Sequence, residues 1–335
     1  MSRELSSKYI SANISSLLKE KPTGTLLVDE ISNSLWMVGP TPDSSIQLAQ
    51  PVVDITGTAE NWYLEFQQVT LENHSLQWTL LATTGPAPNT VTAVTVYNLL
   101  QATLIPISGN NINTVSFPQL LTLGDFTYSV NSVTDLNFPA LTTVGNYFEP
   151  YYMNNVTSLN FPALTTVGGF APYYMNNITV LDFPALTTVG SYFDPAYMPS
   201  LTTMNFPALT TVGNGMYIND GCPALELALF PALQTVTGGI YDYDEGLGNA
   251  NNFHTLNLGT NLLQVGGDVS FTLSALNQTS VDNLLIALAN LDGTGGTTLY
   301  ENHTVTITGP AAAPSATGLA AKTTLQNRGC TVTTN

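Results

Sequence analysis

The chain is almost without base. Its only Lys and Arg residues are Arg3, Lys8, Lys19, Lys21, Lys322 and Arg328, so residues 22–321 hold none. Every Asp and Glu except Glu4 and Glu20 falls in that stretch, and the formal net charge is −17. Such a body cannot neutralise phosphates, so no nucleic acid is expected as a partner. An anionic membrane surface would repel it. Trypsin-like proteases find no bond to cut within it, which suits life among extracellular proteases. Charge of either sign is scarce, at 9% of residues against about a quarter in ordinary domains. Thr, Asn and Ser supply the polar surface instead.

Other absences narrow the class further. Cys222 and Cys330 are the only cysteines; they make no disulfide framework and no metal spacing, and are expected as unpaired or buried thiols. No apolar run is long enough to span a bilayer, so no membrane insertion is expected. The opening "MSRELSSKYISANISSLLKEKPTG" has no apolar signal-peptide core. A surface-like protein without a leader is expected to be a virion component released by lysis, with non-classical secretion as the competing route. His74, His254 and His303 are scattered. No nucleophile elbow, zinc signature or phosphate loop occurs, so neither metal nor cofactor is expected. Asp135, Glu149, Asp182 and Asp194 fall at about one acid per repeat, which reads as surface solvation rather than a glycosidase pair. The run Asp242, Asp244, Glu245 in "YDYDEGLGN" fits no EF-hand spacing and reads as a solvated loop rather than a calcium site. The sequons at Asn155 and Asn177 are those chance gives an Asn/Thr-rich chain.

What is present is repetition. "NFPALTTVG" occurs at 137–145, 160–168 and 205–213, and "DFPALTTVG" at 182–190. Looser copies are "SFPQLLTLG" at 116–124 and "LFPALQTVTG" at 229–238. Phe-Pro pairs begin at 117, 138, 161, 183, 206 and 230. A period near 23 residues predicts a solenoid, whose units are too short to enclose a core and must stack on one another. Period-two alternation with Gly and Asn corners predicts short parallel strands. Leu159, Phe161, Leu164 and Val167 should point inward, with Pro162-Ala163 turning the chain. Gly168 should serve a corner, where a side chain or a left-handed demand would be costly. Later units should bury Met216, Ile218, Val269 and Phe271.

The flanks read differently. Residues 1–21 predict an amphipathic helix with Ile10, Ile14, Leu17 and Leu18 on one face, ended by "KPTG". "TLLV" and "LWMVG" read as strands about a turn, "PTPDSS" and "QLAQP" as loops, and "NWYLEFQQVTL" with "SLQWTLLA" as further strands. After the repeats, "TSVDNLLIALANLDG" predicts a helix with Ser280 as N-cap, Asp282 in its first turn and Gly293 beyond its end. A second helix takes Ser315 as N-cap and Gly329 after its C-terminus. "TVTIT" lies between them and "CTVTT" after, both as strands. The domain plan is therefore 1–53 as an N-terminal helix and β attachment region, 54–111 as a β lead-in, 112–272 as the solenoid, and 273–335 as a helical C-terminal cap. A cap is what an exposed strand edge needs.

The run L-x-F-P-x-L-x-x-V-G resembles the irregular leucine-rich repeats of phage and bacterial surface proteins. "VGNGMYINDGCPALELALFPAL" at 212–233 is similar to the receptor L-domain type. The segment from "SALNQTSVDNLL" to "NRGCTVTTN" looks like the terminal module of repeat proteins on phage virions and bacterial surfaces, with Cys330 where those carry Trp. The resemblance implies an all-β, leucine-rich-repeat-like solenoid used for recognition, with no catalytic residue to carry over.

The candidate site is a tyrosine string written three times: "FEPYYM" at 148–153, "FAPYYM" at 170–175 and "FDPAYM" at 193–198. In register, Tyr152, Tyr174 and Tyr197 form one column, Tyr151 and Tyr173 a second, and Met153, Met175 and Met198 a third. One tyrosine column is expected in the core and the other in solvent. Pro150, Pro172 and Pro195 should lie at a corner, with Phe148 and Phe193 near the interior. Two readings stay open: a ladder that only buries apolar area, or an aromatic–amide platform of these tyrosines with Asn154, Asn155, Asn176 and Asn177, suited to a glycan or a protein. The expected function is that of a non-enzymatic virion protein, a phage tail fibre or surface decoration contacting a host-surface glycan or protein. It would assemble with sister chains or other virion proteins through residues 1–53 as a homo-oligomer. A bacterial surface adhesin is the alternative, and a polysaccharide depolymerase the second.

Trypsin digestion, monitored by mass spectrometry, should leave residues 22–321 uncut, within a fragment running from Glu20 to Lys322, even after heat unfolding. Cuts inside that segment would contradict the composition argument.

Overall fold

The computed structural model describes residues 90–242 and 252–335, apart from 98, 106, 108 and 110. Before them it describes residues 53–56 and the backbone of a few strands. The helix expected over residues 1–21 lies outside the described residues.

The chain forms a β-solenoid of about ten turns. Each coil runs along three ladders. The longest is an eight-stranded parallel sheet built by the T-V of each repeat, from Gln101–Ala102 through Thr143–Phe148 and Thr166–Phe170 to Gln264–Val265. Thr143 pairs with Thr166, Thr166 with Thr188, and Thr188 with Thr211. The strand before each Phe-Pro makes the second ladder, in two sections: Ala93–Tyr97, Thr114–Ser116 and Asp135–Asn137, then Val180–Asp182 through Thr255–Asn257. Parallel pairing thus begins at Ala93, inside the region expected as a lead-in. The third ladder links Phe126, Phe148, Phe170, Phe193 and Met216 by single bridges. It then continues as Met216–Tyr217, Ile240–Tyr241, Val269–Phe271, Thr304–Ile307 and Thr331–Thr334.

Phenylalanine fills the centre. Phe117, Phe138, Phe161, Phe183, Phe206 and Phe230 stack in one column, with centroids 5.3 Å apart at Phe117–Phe138 and 5.6 Å at Phe183–Phe206. Phe126, Phe148, Phe170 and Phe193 form a second, 5.0 to 5.4 Å apart. The columns interlock edge to face, Phe148 on Phe161 at 5.0 Å and Phe170 on Phe183 at 4.9 Å. Each such pair contributes about 0.5–1.5 kcal/mol beyond the area it buries. Leu159, Phe161, Leu164, Val167, Met216, Ile218, Val269 and Phe271 are all buried, as the alternation predicts.

Corners follow from local chemistry. Leu141, Leu164, Leu186 and Leu209 each donate a backbone N–H to the carbonyl of the Phe three residues earlier. Proline sits second in these turns, where its fixed φ is already correct. A second turn closes each coil: Val156 N–H reaches Met153 and Ile178 N–H reaches Met175, spanning the Asn-Asn pairs. Outward threonines tie coils together, the Oγ1 of Thr165, Thr187 and Thr210 each donating to a carbonyl one coil below. Gly168 is required for a reason narrower than expected. Its φ is not positive; a Cβ there would instead lie 2.1 Å from the Asn146 carbonyl of the preceding coil.

The flanks hold two corrections. In the N-terminal region Leu26–Asp29 pairs antiparallel with Ser34–Met37, and Tyr63–Glu72 with Ser75–Thr84, as expected. Ile46–Leu48, expected as loop, pairs with Ser34–Met37. At the other end the first helix spans Gln278–Ala289 and its N-cap is Asn277, not Ser280. The Ser280 hydroxyl is engaged elsewhere. It accepts from Leu256 N–H and donates to His254 C=O, closing an open ladder edge. Asp282 consequently lies past the first turn and accepts from Ser315. The second helix, Ala316–Asn327, has Ser315 as N-cap and Gly329 at φ 80° beyond its end, as predicted. Cys222 and Cys330 are both free and buried. Burial chiefly pushes the Cys222 thiol up to about 12.

Leu164→Ala should cost about 2–4 kcal/mol, the range for large-to-small core changes. Because coils pack chiefly on their neighbours, hydrogen exchange should quicken mainly in the adjacent coils. An even rise along the chain would count against a linear solenoid.

Candidate functional site

The three tyrosine strings occupy one corner of three successive coils. Phe148, Phe170 and Phe193 are fully buried, and the parallel register places residues four positions later above one another. Pro150, Pro172 and Pro195 are buried between the third ladder and the corner, where the missing N–H costs no strand pairing. Tyr151 and Tyr173 then form a bridge, and Tyr152, Tyr174 and Tyr197 turn the chain.

That turn is made in the left-handed region. Tyr152, Tyr174 and Tyr197 each have φ 53°. A residue with a Cβ pays roughly 1–2 kcal/mol there, and bulky side chains are rare. In the next coil the corresponding position is Gly221, at φ 60°, the residue that meets the demand without strain. The coil below avoids the problem, since one residue fewer separates Phe126 from its closing turn than separates Phe148 from Met153. The left-handed tyrosines therefore number three, bounded on both sides.

Their rings stack. Tyr152 and Tyr174 lie 4.8 Å apart and 5° from parallel, Tyr174 and Tyr197 4.6 Å and 12°. Tyr151 and Tyr173 stack at 5.3 Å. Tyr152 is 49% exposed, and Tyr151, Tyr173, Tyr174 and Tyr197 are half-buried. Neither tyrosine column enters the core, against expectation. The third column does: Met153, Met175 and Met198 are fully buried. Past each proline the chain has turned back inward by the methionine, and a flexible thioether fills the irregular space. Ring faces are spent on one another, so the outward surface is one of ring edges and phenol hydroxyls rather than open faces.

The neighbouring amides are largely committed to the backbone. Asn154 Oδ1 accepts from Asn176 N–H at 3.3 Å, and Asn155 and Asn177 Nδ2 donate to the Asn131 and Asn154 carbonyls at 2.7 and 2.6 Å. They join coil to coil. Asn176 lies exposed at the top of this run, since Pro199 ends the pattern.

A second group on the same side escaped the sequence reading. Tyr147 and Tyr192, two coils apart, bring their rings to 5.9 Å across Gly169. A Cβ on Gly169 would meet Tyr147 Cδ1 at 2.8 Å. Glu149, Ala171 and Asp194 share the outward column that follows the buried phenylalanines. Burial and then Asp125 push the Glu149 carboxyl up. Burial and then Glu149, Tyr147, Asp194 and Tyr173 push the Tyr192 hydroxyl up, which places all five in one cluster. The signal in the sequence is the large–small–large order Tyr147, Gly169, Tyr192 at the repeat spacing. An acid at one per coil hides it, because solvation predicts the same count.

The other candidate resolves into structure. Asp242 is buried and accepts from the N–H groups of Thr272, Leu273 and Ser274 and from the Ser274 hydroxyl, at 2.7 to 2.9 Å. It serves a turn rather than a solvated loop; Asp244 and Glu245 lie outside the described residues. His254 is exposed and His303 sits 3.6 Å from Asp268, while His74 lies outside the described residues. Among the described residues no group of His, Cys, Asp and Glu could hold a metal ion, and no helix is long and apolar enough to cross a membrane.

Glu149→Gln should raise the melting temperature at pH 7 and leave it unchanged near pH 3. A carboxyl whose folded pKa is raised adds stability below its unfolded pKa and loses it as pH rises through the folded value. At pH 7 the ionised form thus disfavours the fold, and the amide removes that penalty. Equal melting of variant and parent at both pH values would refute the placement of this side chain.

Comparison with family models, with curated proteins and with solved structures returned no match.

Proposed function

We propose that this protein is a non-enzymatic virion structural protein, of the tail-fibre or surface-decoration kind, that contacts a host surface through the tyrosine corner. The leucine-rich-repeat-like solenoid is its rigid spacer, residues 1–53 its attachment to sister chains or other virion proteins, and residues 273–335 its end cap.

One observation carries the reading. Three tyrosines stand in a left-handed backbone where the same fold places glycine one coil later. Ring contacts offset the strain without removing it: the three tyrosines make five ring pairs at about 0.5–1.5 kcal/mol each, of the same size as three strained residues at roughly 1–2 kcal/mol each, whereas glycine carries no strain there at all. Backbone strain kept at an exposed corner is a mark of a functional surface. Tyrosine also brings large contact area at low conformational cost, which suits recognition. The absence of Lys and Arg from residues 22–321 further fits a protein exposed to proteases.

The test replaces all three residues, Tyr152→Gly, Tyr174→Gly and Tyr197→Gly, in the full chain. Circular dichroism melting and binding to a panel of intact bacterial cells are then compared with the parent protein. The expected outcome is a retained fold with binding lost. Binding that survives, or loss of the fold itself, would make the ladder structural. Immunogold labelling on particles supports the virion assignment; labelling confined to cell envelopes would replace it with an adhesin.

A further inference from the structure

Over residues 90–335 a one-electron oxidant meets phenols. The sequence has no tryptophan there. Among the described residues every methionine and both cysteines are buried, which shields the side chains that oxidise most readily. Tyrosines remain at the surface, and one pair of them is arranged unlike the rest.

The stacked pairs Tyr151–Tyr173, Tyr152–Tyr174, Tyr174–Tyr197 and Tyr217–Tyr241 each join adjacent coils, with centroids 4.6 to 5.5 Å apart. The other contacts at the tyrosine corner are edge to face, at 61 to 70°. Tyr147 and Tyr192 instead come from coils two steps apart, about 10 Å along the solenoid axis. Their rings lean together to 5.9 Å at 32°. Gly169 stands between them. The point its missing Cβ would occupy lies 3.1 Å from Tyr147 Cε1 and 3.8 Å from Tyr192 Cζ. The first is a ring carbon ortho to a hydroxyl. The second bears the hydroxyl and adjoins both ortho carbons of its ring.

We infer that Tyr147 and Tyr192 form a site of oxidative cross-linking, joined ring to ring as a dityrosine that staples three successive coils. The oxidant is a peroxide, used by a catalyst of the haem peroxidase class. Each phenol gives up one electron and one proton and becomes a phenoxyl radical, whose unpaired electron is shared with the ortho carbons. The two radicals couple there through a new carbon–carbon bond. The hydrogens on the two joined carbons then move to the oxygens and restore both phenols. The peroxide O–O bond breaks as it takes up the two electrons and two protons, and it leaves as two waters.

Geometry selects this pair. A bond between rings sets them end to end, so the backbones carrying them must stand further apart than adjacent strands. Rings stacked at one coil spacing would have to leave their stack to couple. Two coils with an empty Cβ position between them meet the demand. Tyr147 is 41% exposed and open to the catalyst, and half-buried Tyr192 lies against it. Charge favours coupling within one chain, since a net charge of −17 keeps copies apart. The link would close a loop in the unfolded chain and so stabilise the fold in the manner of a disulfide. It does not depend on the recognition reading, because Tyr152, Tyr174 and Tyr197 take no part.

The experiment treats dilute full-length protein with a haem peroxidase and hydrogen peroxide. Dityrosine fluorescence, gel mobility and mass spectrometry after cleavage by an acid-specific protease are then read. A monomeric product is expected, with the peptides of Tyr147 and Tyr192 linked at the loss of two hydrogens, and with a raised melting temperature. Tyr147→Phe and Tyr192→Phe should each abolish that link and most of the fluorescence. Gly169→Ala puts a Cβ 2.8 Å from Tyr147 Cδ1; it should turn that ring aside and cut the yield severalfold, and it serves if a phenylalanine variant does not fold. No link, links only between chains, links chiefly within the stacked pairs, or a yield indifferent to these substitutions overturns the inference.

Discussion

The interlocked double column of phenylalanines is the constraint on which the rest of this structure depends. Phe148 sits edge-on against Phe161 and Phe183, and face-on against Phe126 and Phe170. A ring so enclosed cannot slide by one residue, because period-two alternation would then carry every inward side chain outward. The backbone ladders alone would not fix the register so well, since many strands in the sheets are two or three residues long. Aromatic packing supplies the specificity and the ladder supplies the spacing.

That register makes a surface from sequence positions 22 or 23 residues apart. Once Phe148, Phe170 and Phe193 are locked, the residues before and after them must align as outward columns. Tyr147, Gly169 and Tyr192 become one unit, and Glu149, Ala171 and Asp194 another. The coil-closing turns at Asn154-Asn155 and Asn176-Asn177 hold the tyrosine corner from its far side, using side-chain amides as coil-to-coil ties. A rigid scaffold thus holds the exposed groups at fixed separations, which lowers the ordering cost of any contact they make.

The ends of a solenoid face a different problem, that of unpaired strand edges. Here polar side chains meet it. Ser280 satisfies a donor on the outermost strand of the second ladder and the carbonyl just before it, while Asp242, inside the third ladder, collects three backbone N–H groups of the turn that leads from the repeats into the cap. Each is a short polar residue that local rules assign to a helix cap or a loop. Each is drawn into a non-local contact because a buried backbone group left unpaired costs more than a lost cap.

Repetition was legible from the residues alone: the Phe-Pro spacing, the inward Leu and Val, the proline turns and the Asn-Asn closures are local chemistry written many times. The tyrosine columns were legible for the same reason, as repeats in register must align. Three matters waited for the tertiary structure. Methionine, not tyrosine, entered the core, because the direction of a corner depends on backbone φ, which composition does not encode. The ring faces turned toward one another, because only the coil spacing decides whether neighbouring rings touch. Tyr147 and Tyr192 met, with Glu149, Asp194 and Tyr173 around Tyr192, because that contact spans two coils and depends on Gly169 being too small to hold the rings apart.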